Sequence, residues 1–435
     1  MKIRALPFLG SLLLLASAAR VAAAPLKFAF GTGPAPAGYT AVTPEAVYAK
    51  DRGHGFEPGS TLKATSNGIT GDQPFNFSAA VPAEGNYRVT VRFAPGADAT
   101  VKAELRRLMV ENVRAGAGES VSRTFIVNTR TPKIAATGDI KEGVVRLKAP
   151  RETTQEAWAW DDLLTLEFNG ARPIVSAIEI EPVNVPTIFL IGDSTVCDQS
   201  KEPFNSWGQM FTRWFKPEVA IANHGESGET YRDSIGRRRL DKMLSVMKSG
   251  DWMLMQFGHN DQKQIAANNG GPFTTYKAEI KQHVDAVRAR GGHPVIVSPM
   301  ERRGFDDAGK VRGSLADYAE ASRQSAKELG VPFIDLNAMS KPLYEALGVE
   351  KSARAFAAPG GRVDNTHHNN YGSYELAKCV VQAIREQKLP IAKFIVDDFK
   401  GFDPAKPDDP DAFAVPASGE FTNQRPLGDE ANANR

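Results

Sequence analysis

The sequence predicts an α/β protein in which a three-layer, doubly wound parallel sheet is preceded by an antiparallel β-sandwich. Three observations lead there. Before Pro182 the apolar residues come in short period-two runs, after Pro186 short continuous apolar runs alternate with helix-periodic ones, and the polar, glycine-bearing segments follow the ends of those later runs.

The alternation is clearest in Asn86-Tyr87-Arg88-Val89-Thr90-Val91-Arg92-Phe93, where Tyr87, Val89, Val91 and Phe93 share one face of a half-buried strand. Similar runs recur at Phe75–Val81, Val121–Val127, Val144–Leu147, Leu163–Phe168 and Ile174–Ile180, separated by Gly, Pro, Asn and Asp. Many short strands with turn punctuation are the pattern of a sandwich. Trp158 and Trp160, flanking Ala159, are read either as core residues or as a sugar-stacking platform.

The texture changes at Val183-Asn184-Val185-Pro186. Beyond it the expected parallel strands are Thr187–Ile191, Val219–Asn223, Trp252–Phe257, Pro294–Ser298 and Pro332–Leu336, each nearly continuously apolar as strands buried on both faces must be. Leu240, Met243, Leu244 and Met247, then Ile280, Val284 and Val287, and finally Leu376, Val380, Ala383 and Ile384 fall at helical spacing between or after them. The expected organisation is therefore a leader over 1–24, a sandwich domain over 25–183, an α/β domain over 184–400, and a wrapping segment and flexible tail over 401–435.

The leader expectation rests on Lys2 and Arg4, the apolar run Ala5 to Ala19, and the small residues Val21 to Ala24, the layout of a secretory signal peptide. That run is short for a membrane span and no later stretch approaches one, so a secreted or periplasmic protein is expected, with no membrane partner. In an oxidising compartment Cys197 and Cys379 either pair or stay as two buried thiols. With 53 Lys+Arg against 51 Asp+Glu, no basic surface for nucleic acid is expected, and Arg237-Arg238-Arg239 reads as the solvated face of a helix.

In a doubly wound sheet the ligand site lies at the carboxyl ends of the strands. The first parallel strand runs into Gly192-Asp193-Ser194-Thr195, which puts the Ser194 hydroxyl at that edge; neither a phosphate loop nor a Gly-x-Ser-x-Gly elbow is present. The second ends in Asn223-His224-Gly225-Glu226-Ser227-Gly228-Glu229-Thr230 and the third in Phe257-Gly258-His259-Asn260-Asp261. A glycine lets backbone N–H groups approach a ligand, and an asparagine amide donates to a developing oxyanion. His259 is a candidate substrate-binding residue, or else a loop residue bonded to the scaffold.

Before the last helix comes Asp364-Asn365-Thr366-His367-His368-Asn369. An Asp three residues ahead of a His on a loop reaches back to one ring nitrogen and fixes the tautomer, leaving the other for Ser194. His367 and His368 side by side lack the further His or Cys ligands that a metal centre needs, so no metal is expected. In an extended loop His368 points away from His367.

These four segments together resemble the SGNH, or GDSL-type, hydrolases, a flavodoxin-like fold, over about Thr187 to Leu389. Within that superfamily Gly-Asp-Ser-Thr, Phe-Gly-His-Asn-Asp and Asp-Asn-Thr-His look like the rhamnogalacturonan acetylesterases, some bacterial members of which carry an N-terminal β-sandwich. The second block reads Gly228-Glu229-Thr230 where that family often has Gly-Arg-Ser, a departure that leaves its glycine in place. The sandwich is similar in pattern to galactose-binding-like modules, as either a carbohydrate-binding accessory or a structural cap.

The resemblance implies a Ser194 nucleophile, a His367 base oriented by Asp364, and an oxyanion hole of Ser194, Gly228 and Asn260. It implies an acetylated plant polysaccharide, above all rhamnogalacturonan, as substrate and partner, and no cofactor. Alternatives are an acetylxylan esterase, a broad GDSL lipase or acylhydrolase, and a non-catalytic carbohydrate-binding wall protein. The Leu- and Phe-rich lid of a lipase is not evident near the motifs.

Overall fold

The computed structural model describes residues 24–419; all but the last residue of the expected leader, and the tail from 420 onward, lie outside the described residues. The N-terminal strands are β1 (Leu26–Phe30), β2 (Thr40–Val42), β3 (His54–Phe56), β4 (Leu62–Thr65), β5 (Gly68–Gly71), β6 (Phe75–Ala80), β7 (Gly85–Phe93), β8 (Asp98–Ala103), β9 (Arg107–Arg114), β10 (Val121–Thr129), β11 (Lys133–Ile134), β12 (Gly143–Val144), β13 (Leu163–Arg172) and β14 (Val175–Pro182). Two sheets result, one in the order β10-β7-β14-β1-β2 with β5 and β4 attached to β14, the other β3-β6-β13-β8-β9. All pairs in both are antiparallel except β1 with β2, which run parallel.

The inner faces of the two sheets share one core. Phe28 and Phe30 of one meet Phe77 of the other edge to face, with ring centroids 5.0 and 5.3 Å apart, and Val89, Val91 and Phe93 are fully enclosed. Edge-to-face pairs of this kind add about 0.5–1.5 kcal/mol each beyond the area they bury. The strand expected at Val144–Leu147 shrinks to Gly143–Val144 paired with β11, because Leu147 N–H turns back to the Val145 carbonyl at 3.0 Å.

The C-terminal half carries β15 (Thr187–Gly192), β16 (Ala220–Asn223), β17 (Trp252–Gln256), β18 (His293–Val297) and β19 (Phe333–Ile334), all parallel, in the order β16-β15-β17-β18-β19. Its helices are α1 (Trp207–Phe211), α2 (Tyr231–Gly236), α3 (Arg239–Val246), α4 (Lys263–Ala266), α5 (Lys277–Ala289), α6 (Ala316–Leu329), α7 (Leu336–Lys351) and α8 (Asn370–Glu386). The period of two sorts each strand: Ile188 and Leu190 face α1, α7 and α8, while Phe189 and Ile191 face α3, α5 and α6. Strand order reverses about β15, so its carboxyl end is the switch point. The edge expected at Pro332–Leu336 is only two residues long, since Asp335 already caps α7 by accepting from Ala338 N–H.

The two halves interlock. Leu105, Ile134, Val145, Trp158 and Trp160 enter the core layer beneath α3 and α5, so both tryptophans are core residues rather than a sugar platform. Arg239 corrects the solvated reading of the arginine run: it is fully enclosed and paired with Glu152 and with Glu229 at 3.0 Å, because the N-terminal half docks over that helix start. Arg237 and Arg238 stay partly exposed and donate to the carbonyls of Arg146 and Glu142. Cys197 and Cys379 are separate buried thiols.

Residues 401–419 run back over both halves. Asp408 receives Lys378 and the Tyr371 hydroxyl, Phe413 lies against Tyr371 and Tyr374, and the Pro416 carbonyl and Ser418 hydroxyl accept from buried Lys102 at 2.8 and 2.7 Å. Among the described residues no helix is long and apolar enough to cross a membrane.

Candidate active site

The turn after β15 presents Ser194. Gly192 is required there, since a Cβ would sit 2.4 Å from the Gln256 carbonyl of the neighbouring strand. The Asp193 side chain then accepts from Thr195 N–H at 2.9 Å and Thr195 Oγ at 2.8 Å, closing the turn with Ser194 at its outer corner. Asp193 is wholly buried, and burial pushes its carboxyl up, with Thr195 opposing the rise.

The loop after β16 is tied to that turn. Glu226 N–H reaches the Gly192 carbonyl at 2.9 Å, and Asn223 Nδ2 reaches the Val196 carbonyl at 2.7 Å. Gly228, at the loop's tip, has φ of 78°, a left-handed conformation that side chains disfavour. After β17, Asp261 accepts from Gly258 N–H at 2.9 Å and folds the segment so that Asn260 meets the cleft. Asn260 Nδ2 donates to the Glu229 carbonyl at 3.2 Å and its Oδ1 accepts from Lys263 at 2.9 Å.

Asp364 and His367 arrive from the opposite side, on the loop that α8 ends. His367 Nε2 lies 2.8 Å from Ser194 Oγ and Nδ1 lies 2.8 Å from Asp364 Oδ2. Burial works to raise the Asp364 carboxyl, but hydrogen bonds from His367 and Thr366 outweigh it and hold the group below the usual range. The Phe204 ring stands edge-on to His367 at 5.8 Å and limits its tilt.

Ser194, Gly228, Asn260, Asp364 and His367 line one cleft of about 420 Å³. His259 does not line it. Its ring is buried with Nε2 3.3 Å from Met300 Sδ, and burial with the nearby Arg302 charge lowers it to about 3, which favours the scaffold reading of this residue. His368 points the other way, against the Tyr344 hydroxyl at 2.7 Å. A larger cavity of about 560 Å³ beside Glu111, Arg213 and Asp398 holds no nucleophile paired with a base.

The cleft also contains residues that sequence reasoning missed. Arg151, Gln155 and Glu156 come from the N-terminal half, and Lys201 and Phe204 from the segment after Ser194. Behind them Glu152, Glu156 and Glu226 bring carboxylate oxygens within 4.8 Å of one another. Arg239, Lys148 and Arg151 supply cations to that cluster, and burial pushes Glu226 well up, helped by the charge of Glu156. Burial also raises the Glu156 carboxyl, with Glu226 and the Arg151 charge opposing the rise.

A serine hydroxyl hydrogen-bonded to a histidine that a carboxylate orients, at the switch point of a doubly wound parallel sheet, is the arrangement found in serine hydrolases. Residues 190–373 match the model of the GDSL-like lipase/acylhydrolase family. The chain is 38% identical over 220 residues to a rhamnogalacturonan acetylesterase, RhgT, of Bacillus subtilis (strain 168), spanning 48% of this chain and 94% of that one. It is 32% identical over 215 residues to a probable rhamnogalacturonan acetylesterase, YesY, of the same organism, 48% of this chain and 98% of that one. An uncharacterized esterase, YxiM, also from that strain, aligns at 25% identity over 388 residues, 83% of this chain and 91% of its own. The chain belongs to the GDSL-like lipase/acylhydrolase family and is a carboxylic ester hydrolase.

Proposed function

We propose that this chain is an exported serine esterase that removes O-acetyl groups from a plant cell-wall polysaccharide, and that the polysaccharide is rhamnogalacturonan. The observation that carries the reading is the continuous relay from Asp364 through His367 to Ser194 in a cleft also lined by Gly228 and Asn260.

In the reaction, His367 Nε2 takes the Ser194 proton as Oγ attacks the ester carbonyl, and Asp364 stabilises the imidazolium. The oxyanion receives the backbone N–H groups of Ser194 and Gly228 and the Asn260 N–H not engaged by Glu229. Collapse expels the sugar oxygen, which takes the proton from His367 and leaves as the hydroxyl. Water, deprotonated by the same imidazole, then attacks the acetyl-Ser194 ester and releases acetate. No step calls on a cofactor.

Two features support a pectic chain over neutral xylan. Relatives bear the corresponding names, and the cleft rim carries Arg151 and Lys201, two exposed cations suited to an acidic glycan. Export, to periplasm or medium, is supported by the first 24 residues. Residues 25–183 are read as a galactose-binding-like accessory domain, 184–400 as the catalytic domain, and 401–435 as wrapping segment and tail.

The test is acetate release from acetylated rhamnogalacturonan, acetylated xylan and a long-chain ester, for the wild type and Ser194→Ala. Release from the pectic polymer that vanishes in the variant is the expected result. Preference for xylan or the long chain overturns the substrate and keeps the chemistry, and full activity in Ser194→Ala overturns the mechanism.

A further inference from the structure

Among the N-terminal side chains that meet the proposed oxyanion loop, Lys148 grips its backbone. Lys148 Nζ donates to the Ser227 carbonyl at 2.6 Å and stands 3.8 Å from Glu226 and 3.4 Å from Glu229. Its own backbone is fixed: Lys148 N–H donates to Glu152 at 2.7 Å, and Glu152 N–H returns to the Lys148 carbonyl at 2.7 Å. Glu152 is in turn held by Arg239.

The Ser227 carbonyl and the Gly228 N–H belong to one peptide unit. That unit is planar and trans, so its C=O and N–H point in opposite directions, and fixing one fixes the other. A cation on the carbonyl oxygen also draws electron density from the amide and makes its N–H a stronger donor. Gly228 itself, at φ of 78°, has open space around it, the nearest atom to a built Cβ being Lys148 Nζ at 3.9 Å, so neighbouring side chains do not wedge the turn in place.

We propose that Lys148 is a positioning residue for ester hydrolysis: by gripping the Ser227 carbonyl it aims and polarises the Gly228 N–H toward the oxyanion, making the N-terminal half a working part of the active site. The inference rests on the reading of Gly228 as an oxyanion donor. Lys148 is not among the residues that line the cleft, so its effect falls on the transition state and not on substrate binding.

The experiment measures hydrolysis of 4-nitrophenyl acetate, a small neutral ester that needs no polysaccharide contacts, by the full chain and by Lys148→Met, Lys148→Gln and Lys148→Arg. Lys148→Met is expected to lower kcat about tenfold, less than the roughly 100- to 1,000-fold lost with an oxyanion donor itself, with KM within about twofold. The inhibition constant of a boronic acid that mimics the tetrahedral adduct rises by the same factor, and Lys148→Arg restores most of both. Lys148→Gln, which keeps a donor and loses the charge, falls between Met and Arg, and it decides the matter should the Met variant not fold. Wild-type kcat in the Met or Gln variant, or a change confined to KM, overturns the inference. Ser194→Ala and Asn260→Ala run alongside: loss of activity in these two with full activity in Lys148→Met overturns the positioning role alone, whereas full activity in Ser194→Ala overturns the site reading and the inference with it.

Discussion

Asp364 grips His367 twice, at the ring through Nδ1 at 2.8 Å and at the backbone through N–H at 3.0 Å, using a different carboxylate oxygen for each. With Thr366 N–H also on Oδ1 at 2.7 Å, the carboxylate orders the whole turn that carries the base.

Asp364→Asn separates those tasks. The amide oxygen still accepts from the backbone N–H groups, but the amide nitrogen donates to Nδ1, which leaves the imidazole proton on Nε2, facing Ser194. A fall in kcat of roughly 1,000- to 10,000-fold with little change in melting temperature is expected from steady-state kinetics and thermal unfolding.

Asn260→Ala removes one proposed oxyanion donor and one bond to the Glu229 carbonyl. Expected is a kcat lower by about 100- to 1,000-fold with KM nearly unchanged, because the interaction strengthens only as charge develops. A rise in KM at constant kcat would identify Asn260 as a ground-state binder.

Arg239→Met leaves Glu152 and Glu229 buried without their shared cation. Breaking a buried pair from one side costs about 3–5 kcal/mol, which denaturant unfolding will report as a lower midpoint. Replacing Glu152 and Glu229 by Gln in the same chain should recover part of the loss.

His368 is enclosed, and burial above all lowers it to about 3. Between that value and the ordinary 6.5 of an unfolded histidine, only the unfolded chain binds the proton. The stability His368 contributes is therefore complete above pH 6.5 and declines as the pH falls, by about 1.4 kcal/mol per unit for one site. His368→Gln loses the Tyr344 contact and is less stable at neutral pH, but from pH 6.5 to 5 it should lose about 2 kcal/mol less than the wild type, as urea titrations at each pH will show.

Burial pushes both thiols, Cys197 and Cys379, above their ordinary range. Alkylation of the native, unreduced protein should label neither within minutes, and after unfolding without reductant it should label both, as intact mass will register.

The parallel sheet was legible because its strands are buried on both faces and so read as continuous apolar runs; Thr187–Ile191 differs from the observed β15 by one residue. The strand-end rule pointed to Ser194 and Asn260, and the Asp-x-x-His spacing before the last helix to Asp364 and His367, the residues that meet in one cleft. Helices α6 and α7 left weaker marks, since α6 buries Ala319, Ala321, Ser322, Ser325 and Ala326 in place of large apolar residues. The two readings of His259 stayed open because adjacency to Asn260 does not reveal which side of the loop a ring takes, and here the ring turns inward to Met300. Lys148, Arg151 and Gln155 were invisible: nothing in Lys148-Ala149-Pro150-Arg151-Glu152-Thr153-Thr154-Gln155 has a period or a motif, and only tertiary docking brings it to the cleft.

The hold of Pro416 and Ser418 on Lys102 ties the completion of the N-terminal sheets to the last described stretch of the chain. Strand β8 lies in the first quarter of the chain, yet its buried ammonium finds these two acceptors only when residues near 418 have docked. The N-terminal sheets cannot reach their final stability ahead of the rest. A chain clipped near residue 400 keeps every group proposed for catalysis but leaves the enclosed ammonium with Glu167 at 3.7 Å and without its two hydrogen-bond acceptors, a loss of stability remote from the cleft.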